Sequence, residues 1–499
     1  MTNNTNKKPI IWTISGADCS GGAGIAADIK TGHALNVEVC HLITANTVQN
    51  SQQLLAINAT SINTLQQQVD CLLADKAPSI IKVGLLACVE QITWLVGAIK
   101  QIKFVYPQVQ VIFDPVGQAS VGGKFSSILV QDLLPLLAIT DVLTPNLLEA
   151  QQLTASTSDN AEELAEKIIA LGVKQIIIKG GHHVDKHQCV DYCYSSITQL
   201  AYQLNSPRID TDYSHGGGCS FASALASFLA HGYLLRDAFT LAKAFIVQGL
   251  KTSEGKKDYY GAFEQQQWPN SAIDFPAVEA QVNQKYAQLA EFQRLDIIRE
   301  GKQALGLYPV VDSVEWLKQL MPLGINIIQL RLKNKTEQEL RAEIKEAVEL
   351  SKQFDCRLFI NDFWQLAIEY GAYGVHIGQE DLLDASLATI QESGLRLGIS
   401  THGCYEFLLA QQLRPSYLAI GAIFPTKTKD MTGQIQGVEN LRQTLQLATD
   451  IPVVAIGGIN HQRAEQVWQT GVDSIAVVTA ITESKNAETA VKQFQQILK

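Results

Sequence analysis

The chain has 499 residues, 46% of them apolar and 18% charged, with 35 Gly against 14 Pro. Single hydrophobic cores stop growing near ~250–300 residues, so two domains are expected, and the balance excludes a disordered, collagenous or coiled-coil chain. Lys and Arg number 39 against 49 Asp and Glu, a net charge of −10, which argues against nucleic acid or an anionic membrane as partner because counterion release needs a basic surface.

Anionic small molecules remain open as substrates if their positive counter-charge is supplied locally. No apolar run reaches the ~20 residues of a membrane span, and MTNNTNKKP leads into only a short apolar run, IIWTISG. A cytoplasmic protein is expected. Nine scattered Cys with no Cys-x-x-Cys pair favour neither a disulfide framework nor a cysteine zinc site.

The first half alternates apolar strands with helical stretches, the pattern of parallel βαβ construction. Strands are expected at Ile10–Ser15, Val39–Thr44, Ile80–Leu85, Val109–Phe113, Asp141–Thr144, Gln175–Lys179 and Cys189–Tyr194. Helices are expected at Ala161–Leu171 and after Gly218. The run KKDYYGAFEQQQWPNSAIDFP then breaks the pattern, and Ala277–Arg294 reads as a helix that restarts the chain. From about Leu305, eight strand-like runs recur every 20–30 residues or so, as in a barrel of eight βα units. They are LYPVV, NIIQLRL, RLFIN, YGVHI, LRLGIS, YLAIGAI, PVVAIGG and SIAVVTA. The expected organisation is an α/β domain over 1–265, a linker over 266–300 and an α/β barrel over 301–499.

Polar signals gather at the ends of these strands, where open α/β sheets and barrels collect ligands. Gly16 to Gly24 (GADCSGGAG) follows a strand and opens a helix, so its backbone amides can approach a ligand, although tight packing explains many such turns. His215-Gly216-Gly217-Gly218-Cys219 precedes a small-residue helix. There Gly216, Gly217 and Gly218 would form an anion cradle with Cys219's thiol pKa lowered by the helix terminus, the alternative being a buried structural Cys behind a flexible turn. Asp114-Pro115-Val116, Thr144-Pro145-Asn146 with Glu149, and Lys179-Gly180-Gly181-His182 complete the set. Asn146 or Thr144 could equally cap the helix that carries Glu149.

In the second half, alternation places Gln329, Arg331 and Lys333 on one face and Leu330 and Leu332 on the other. Inward-facing cations are costly unless they meet an anion. Asn361-Asp362 ends the third strand, and Asp381 follows the fourth. Asp362 and Asp381 together could hold a Mg²⁺ bridging diphosphate oxygens, although either alone is more often a helix cap. His376 reads as a satisfied core histidine. Ser400, Thr426 to Lys429, Gly457-Gly458 and Val478-Thr479 follow later strands.

These residues carry two resemblances. GADCSGGAGIAADIKT, ITANTVQN, KVGLL, DPV, TPNLLEA, KGGHH and HGGGCSFASALAS resemble the hydroxymethylpyrimidine/phosphomethylpyrimidine kinase family, over about residues 10–250. That resemblance implies a ribokinase-like three-layer α/β fold and ATP-dependent phosphorylation of the pyrimidine and its monophosphate. It implies pyrimidine contacts at Gly16, Asp28 and Gln49, and an anion hole at Gly216, Gly217 and Gly218 with Cys219 beside the substrate hydroxyl. Lys179, Asp114, Asn146 and Glu149 would serve ATP phosphates and Mg²⁺. The family usually has Thr where this chain has Gly217, and GQASVGGKF departs from its pattern after DPV.

LYPVVDS, QLRLK, LFIND, YGVHIGQEDL, LGISTH, FPTKTK, VAIGGI and SIAVV resemble thiamine phosphate synthase over Leu305–Ile481, which implies a (β/α)8 TIM barrel. The resemblance implies a pyrimidine diphosphate site at Gln329, Leu330, Arg331, Leu332, Lys333, Asn361, Ser400 and Lys429, with Mg²⁺ on Asp362 and Asp381. It places thiazole phosphate at Thr426, Lys427, Thr428, Gly458, Val478 and Thr479, the last usually Ser in the family. Cys219, Lys179, Arg331 and Lys429 are the expected catalytic residues, ATP the co-substrate and Mg²⁺ the cofactor. Two competing readings are a pyridoxal- or sugar-type kinase in the first half and a thiazole-phosphate-binding regulatory barrel in the second. Small molecules are the expected partners, and a homo-oligomer is left open.

Overall fold

The computed structural model describes residues 8–50, 53–116, 128–180, 187–253, 261–295, 305–426 and 435–498. They form two compact units, Met1–Val278 and Glu279–Lys499. Among the described residues no helix is long and apolar enough to cross a membrane.

The first unit is built on a ten-stranded sheet. Its strands are β1 (Ile10–Ala17), β2 (Glu38–Gln49), β3 (Leu54–Ala59), β4 (Ile80–Val83), β5 (Gln110–Phe113), β6 (Val142–Leu143), β7 (Gln175–Ile178), β8 (Gln188–Ser195), β9 (Leu200–Pro207) and β10 (Ala277–Ala280). The spatial order is β10-β9-β8-β7-β6-β5-β4-β1-β2-β3. Neighbours from β7 to β2 run parallel, while β3, β8 and β9 pair antiparallel. The central strands read as mostly apolar runs because helices cover both faces, and Trp12, Ile14, Ile81, Val83, Val111 and Phe113 belong to the core. Every expected strand is present. β3 and β9 escaped sequence reading because LLAINA and LAYQLNSP lie near the sheet's margins and lack a fully apolar run.

The second unit is a closed barrel of eight parallel strands. They are β11 (Gly306–Val311), β12 (Ile327–Leu330), β13 (Arg357–Asn361), β14 (Gly374–Ile377), β15 (Arg396–Thr401), β16 (Tyr417–Ile420), β17 (Val453–Ile456) and β18 (Ser474–Val477). Pairing of β11 with β18 closes the ring. Tyr308, Val310, Ile327, Phe359, Tyr417, Ala419, Val454 and Ala476 fill the interior as a packed core.

The expected helix over Ala277–Arg294 is not formed. The chain gives β10, a five-residue helix at Gln281–Lys285, and then an irregular segment. Tyr286, Leu289, Phe292 and Leu295 repeat every three residues, which mimics a helical face, yet all four are buried by tertiary contacts. Phe292 N–H donates to Arg414 O at 3.1 Å, Ser416 Oγ donates to Gln293 O at 2.6 Å, and Tyr286 OH donates to Ala385 O. Leu295 joins the barrel core directly.

Candidate active sites

In the first unit, two glycine-rich turns interlock. β1 ends at Ala17, and the turn Asp18 to Ala23 leads into the helix Gly24–Ala34. Asp18 organises that turn by accepting hydrogen bonds from Ser20 N at 2.8 Å and Ala23 N at 3.0 Å. It also contacts His215 Nε2, 2.8 Å away at the head of the second turn. Burial opposes ionisation of Asp18, but hydrogen bonds from His215, Ser20 and Gln49 outweigh it and hold the carboxyl well below the usual carboxylate range. Gly216 has φ +82°, and a Cβ there would lie 1.9 Å from Gly22 O, so only glycine lets the turns meet. Gln49 ends β2 beside them, its N–H donating to Cys19 Sγ. A Cβ on Gly16 would strike Leu85 at 2.6 Å.

Gly216 caps the helix Gly217–Ala230, whose third residue is Cys219. Lys179, just past β7, donates to Asp114 Oδ1 at 2.8 Å, and Thr144 Oγ1 donates to the same oxygen at 3.2 Å. Lys179 Nζ is also 3.6 Å from where a Gly218 Cβ would stand, so the cation borders the cradle. Burial disfavours its charge, but Asp114 and Glu149 raise its pKa overall. Asn146 caps the helix Leu147–Thr154 in a reciprocal box with Glu149. Glu149 thus serves the cap while its charge acts on Lys179.

Two expectations need correcting. The Cys219 thiol is not activated by its helix terminus. Burial pushes it up to about 11, and Lys82 only partly offsets burial and the charges of Asp28 and Asp114. Asp28 is not presented to a ligand: it is fully buried and accepts from Lys82 Nζ, Thr13 Oγ1 and Ser223 Oγ. Sequence reasoning assigned no role to Asp18, His215 or Lys82. For Lys82 the signal was a lone charge inside the apolar run IIKV. Gly181, His182 and the GQASVGGKF segment lie outside the described residues.

In the second unit one cavity opens at the carboxyl ends of the strands. Its lining brings together Gln329, Arg331, Asn361, Asp362, Asp381, Ser400, Thr426, Gly458, Val478 and Thr479. Leu330 and Leu332 are buried and do not line it. Lys333 is exposed beyond the end of β12 and does not line it either, because regular alternation stops with the strand. Lys427, Thr428 and Lys429 lie outside the described residues.

Asp362 adopts φ +64°, which turns the chain sharply at the end of β13, and Asn361 Nδ2 donates to it at 2.5 Å. Burial and then the Asp381 charge raise its pKa, against the pull of Arg331. Asp362 thus faces the cavity beside a second carboxylate, Asp381, an arrangement that suits a divalent cation. Glu380, missed in the sequence, joins them: a Cβ on Gly378 would lie 3.1 Å from Glu380 Oε2 and 3.3 Å from Asp381 Oδ2. Among the described residues no three such ligands converge on one point, so a metal here would take further oxygens from substrate or water.

His376 is the satisfied core histidine that the sequence suggested. Nδ1 meets Tyr417 OH at 2.7 Å and Nε2 meets Ser400 Oγ at 2.8 Å, so it fixes the Ser400 hydroxyl at the cavity wall. His402 also lines the cavity, and its Nδ1 contacts Glu406 Oε2 at 2.8 Å. Gly458, at φ +65°, comes so close to the 424–425 loop that a Cβ would lie 2.5 Å from Pro425 O.

Residues 307–481 match the family model for thiamine monophosphate synthase. The thiamine-phosphate synthase of Yersinia pseudotuberculosis serotype O:1b (strain IP 31758) is 50% identical over 197 residues, which are 40% of this chain and 92% of that protein. The chain belongs to the thiamine-phosphate synthase family. Ahead of the synthase domain, residues 18–263 match the family model for phosphomethylpyrimidine kinase. The phosphomethylpyrimidine kinase of Clostridium difficile 630 aligns at 28% identity over 48% of this chain and 99% of that one, with TM-score 0.41. A Staphylococcus aureus pyridoxal kinase bound to pyridoxal aligns at 27% identity over 55% and 98%, with TM-score 0.47. The protein is a fusion of a kinase domain and a synthase domain, an enzyme in both halves.

Proposed function

We propose that the two domains catalyse consecutive steps of thiamine biosynthesis. The first phosphorylates 4-amino-5-hydroxymethyl-2-methylpyrimidine and then its monophosphate, with ATP as donor. The second joins the resulting diphosphate to 4-methyl-5-(2-phosphoethyl)thiazole, giving thiamine phosphate and pyrophosphate. The observation that carries this reading is the pairing of family domains on one chain, phosphomethylpyrimidine kinase over 18–263 and thiamine monophosphate synthase over 307–481.

The first unit supplies positioning and charge, which is what phosphoryl transfer asks of a protein. Gln49, Gly16 and the Asp18 turn form the pyrimidine side. The Gly216 and Gly218 backbone amides and the Lys179 ammonium stabilise the phosphoryl group as it passes to the substrate hydroxyl, whereas the Gly217 N–H is taken up by Ser214 O at 3.0 Å. Cys219 stays a neutral thiol beside them and acts as a hydrogen-bonding neighbour. The Asp114, Asn146 and Glu149 region accepts the ATP phosphates.

In the second unit, Gln329, Arg331, Asn361 and Ser400 hold the pyrimidine diphosphate. Asp362 and Asp381 would hold a Mg²⁺, which when bound would supply positive charge to the diphosphate. Thr426, Gly458, Val478 and Thr479 orient the thiazole phosphate so that its ring nitrogen meets the pyrimidine methylene, without a covalent enzyme intermediate. A one-pot assay of the intact chain with hydroxymethylpyrimidine, ATP, Mg²⁺ and thiazole phosphate tests the reading. Thiamine phosphate should accumulate, and its absence would reject the reading.

A further inference from the structure

Two histidines line the synthase cavity, and their surroundings differ in a way that bears on chemistry. His376 has both ring nitrogens engaged, by Tyr417 and Ser400, and stacks on the Tyr417 ring at 23°. It is locked in place with no nitrogen left for a ligand. His402 is held from one side only. Glu406 Oε2 receives the His402 backbone N–H at 2.7 Å and contacts ring Nδ1 at 2.8 Å. Among the described residues no hydrogen bond engages Nε2, while the side chain remains 11% exposed at the cavity.

The partner is built for this purpose. Glu406 is 4% exposed and sits in the first turn of the helix Cys404–Gln412, where the helix dipole favours an anion. A buried carboxylate on Nδ1 fixes the ring's orientation at the cavity wall. The backbone bond to the same oxygen stops the carboxylate from swinging away. His402 is two residues from Ser400, which shares the cavity with Arg331.

We infer that the Glu406–His402 pair is an acid for the synthase reaction, with Nε2–H directed at the departing pyrophosphate. The inference rests on the proposed synthase activity. In the step, the bond between the pyrimidine methylene carbon and the diphosphate oxygen breaks, and its electron pair stays on that oxygen. The Nε2 proton passes to the pyrophosphate, leaving a neutral imidazole that keeps its proton on Nδ1 and donates it to Glu406 Oε2. The thiazole nitrogen then bonds to the methylene carbon. After pyrophosphate leaves, Nε2 takes a proton from water. Glu406 touches no substrate and is a positioning residue.

The test uses the full chain with pyrimidine diphosphate, thiazole phosphate and Mg²⁺. His402→Ala should lower kcat by about 10²-fold, with KM for both substrates within about 3-fold of wild type, and added imidazole should restore a measurable part of the loss. Glu406→Gln should lower kcat at least ~10-fold without imidazole rescue. A His402→Ala kcat within about 3-fold of wild type overturns the inference, and so does a large loss that imidazole leaves untouched while substrate binding and melting temperature are unchanged. Should His402→Ala fail to fold, Glu406→Gln decides alone, and an unchanged kcat there overturns the pair. A wild-type chain that makes no thiamine phosphate rejects the synthase reading itself, a result distinct from an active wild type with an unimpaired His402→Ala variant.

Discussion

Lys82 Nζ lies 3.0 Å from both carboxylate oxygens of Asp28, and both side chains are fully buried. The pair joins β4 to the helix Gly24–Ala34, and Ser223 and Thr13 add the helix Gly217–Ala230 and β1. Burial works against the Lys82 charge, but Asp28 with help from Cys219 and Asp114 raises its pKa well above the ordinary lysine value. A raised lysine pKa stabilises the fold fully below the unfolded pKa, and that stabilisation fades only as pH rises through the folded pKa. At neutral pH it is therefore intact.

Breaking this pair strands a buried charge. Asp28→Ala should cost the first unit about 3–5 kcal/mol, seen as a shift of its transition in urea unfolding of the full chain. The double change Asp28→Leu with Lys82→Met removes both charges and should cost less than Asp28→Ala alone. If Asp28 instead served a ligand from an accessible position, Asp28→Ala would change substrate KM and leave the unfolding midpoint near wild type.

Cys219 makes a prediction in the opposite direction from the one its helix position suggests. With its thiol pushed up to about 11 against an ordinary 9.0, the thiolate fraction near pH 8 falls about 100-fold. A raised thiol pKa contributes stability that is present below the unfolded value and lost as pH rises through about 11. Iodoacetamide labelling followed by peptide mass analysis should modify exposed Cys19 early. Cys219 should react slowly, at a rate still climbing above pH 9. A Cys219 rate that levels off near neutral pH would show an activated thiol.

Much of both sites was legible because strand ends carry the chemistry in these folds. QLRLK, FIND and GQED announced the synthase cavity, and Arg331, Asp362 and Asp381 do share it. Alternation then overreached at Lys333, because β12 stops at Leu330 and later side chains need not keep its rhythm. Asp28 misled for a different reason: partners 54 and 195 residues away enclose it, and no local pattern reveals such distant donors. The segment before the barrel misled through a three-residue apolar spacing whose partners, near residues 382–385 and 414–416, are equally remote in sequence. His402 and Glu406 were readable in principle as an i, i+4 acid–base pair after a barrel strand.

That pre-barrel segment should matter to the synthase domain. Leu295 belongs to the barrel core with Leu305, Tyr308 and Val310, and earlier in the segment Arg414 and Ser416 donate to the Leu289 and Gln293 carbonyls. Leu295→Ala should destabilise the second unit by about 2–4 kcal/mol, measured by its unfolding transition. A synthase fragment beginning at Glu279 should melt higher than one beginning at Leu305. Equal melting temperatures would mean that the segment rests on the barrel without stabilising it.

Gly458 links fold to substrate most directly. Its φ of +65° lies where an alanine costs about 1–2 kcal/mol, and the added Cβ would lie 2.5 Å from Pro425 O and 2.7 Å from Phe424 O. Those are rigid backbone atoms, so the 424–426 loop must move, and Thr426 at its end lines the cavity. Arg463 holds the other side, donating to Gly458 O at 2.7 Å while resting over the Phe424 ring. Displacing this wall should weaken the thiazole phosphate more than the pyrimidine diphosphate, whose proposed contacts lie on β12, β13 and β15. Gly458→Ala should therefore raise KM for thiazole phosphate at least ~10-fold, the effect of about 1.4 kcal/mol, with KM for pyrimidine diphosphate within about 2-fold of wild type. Equal rises in both constants would place Gly458 in the barrel's general stability instead of the thiazole phosphate site.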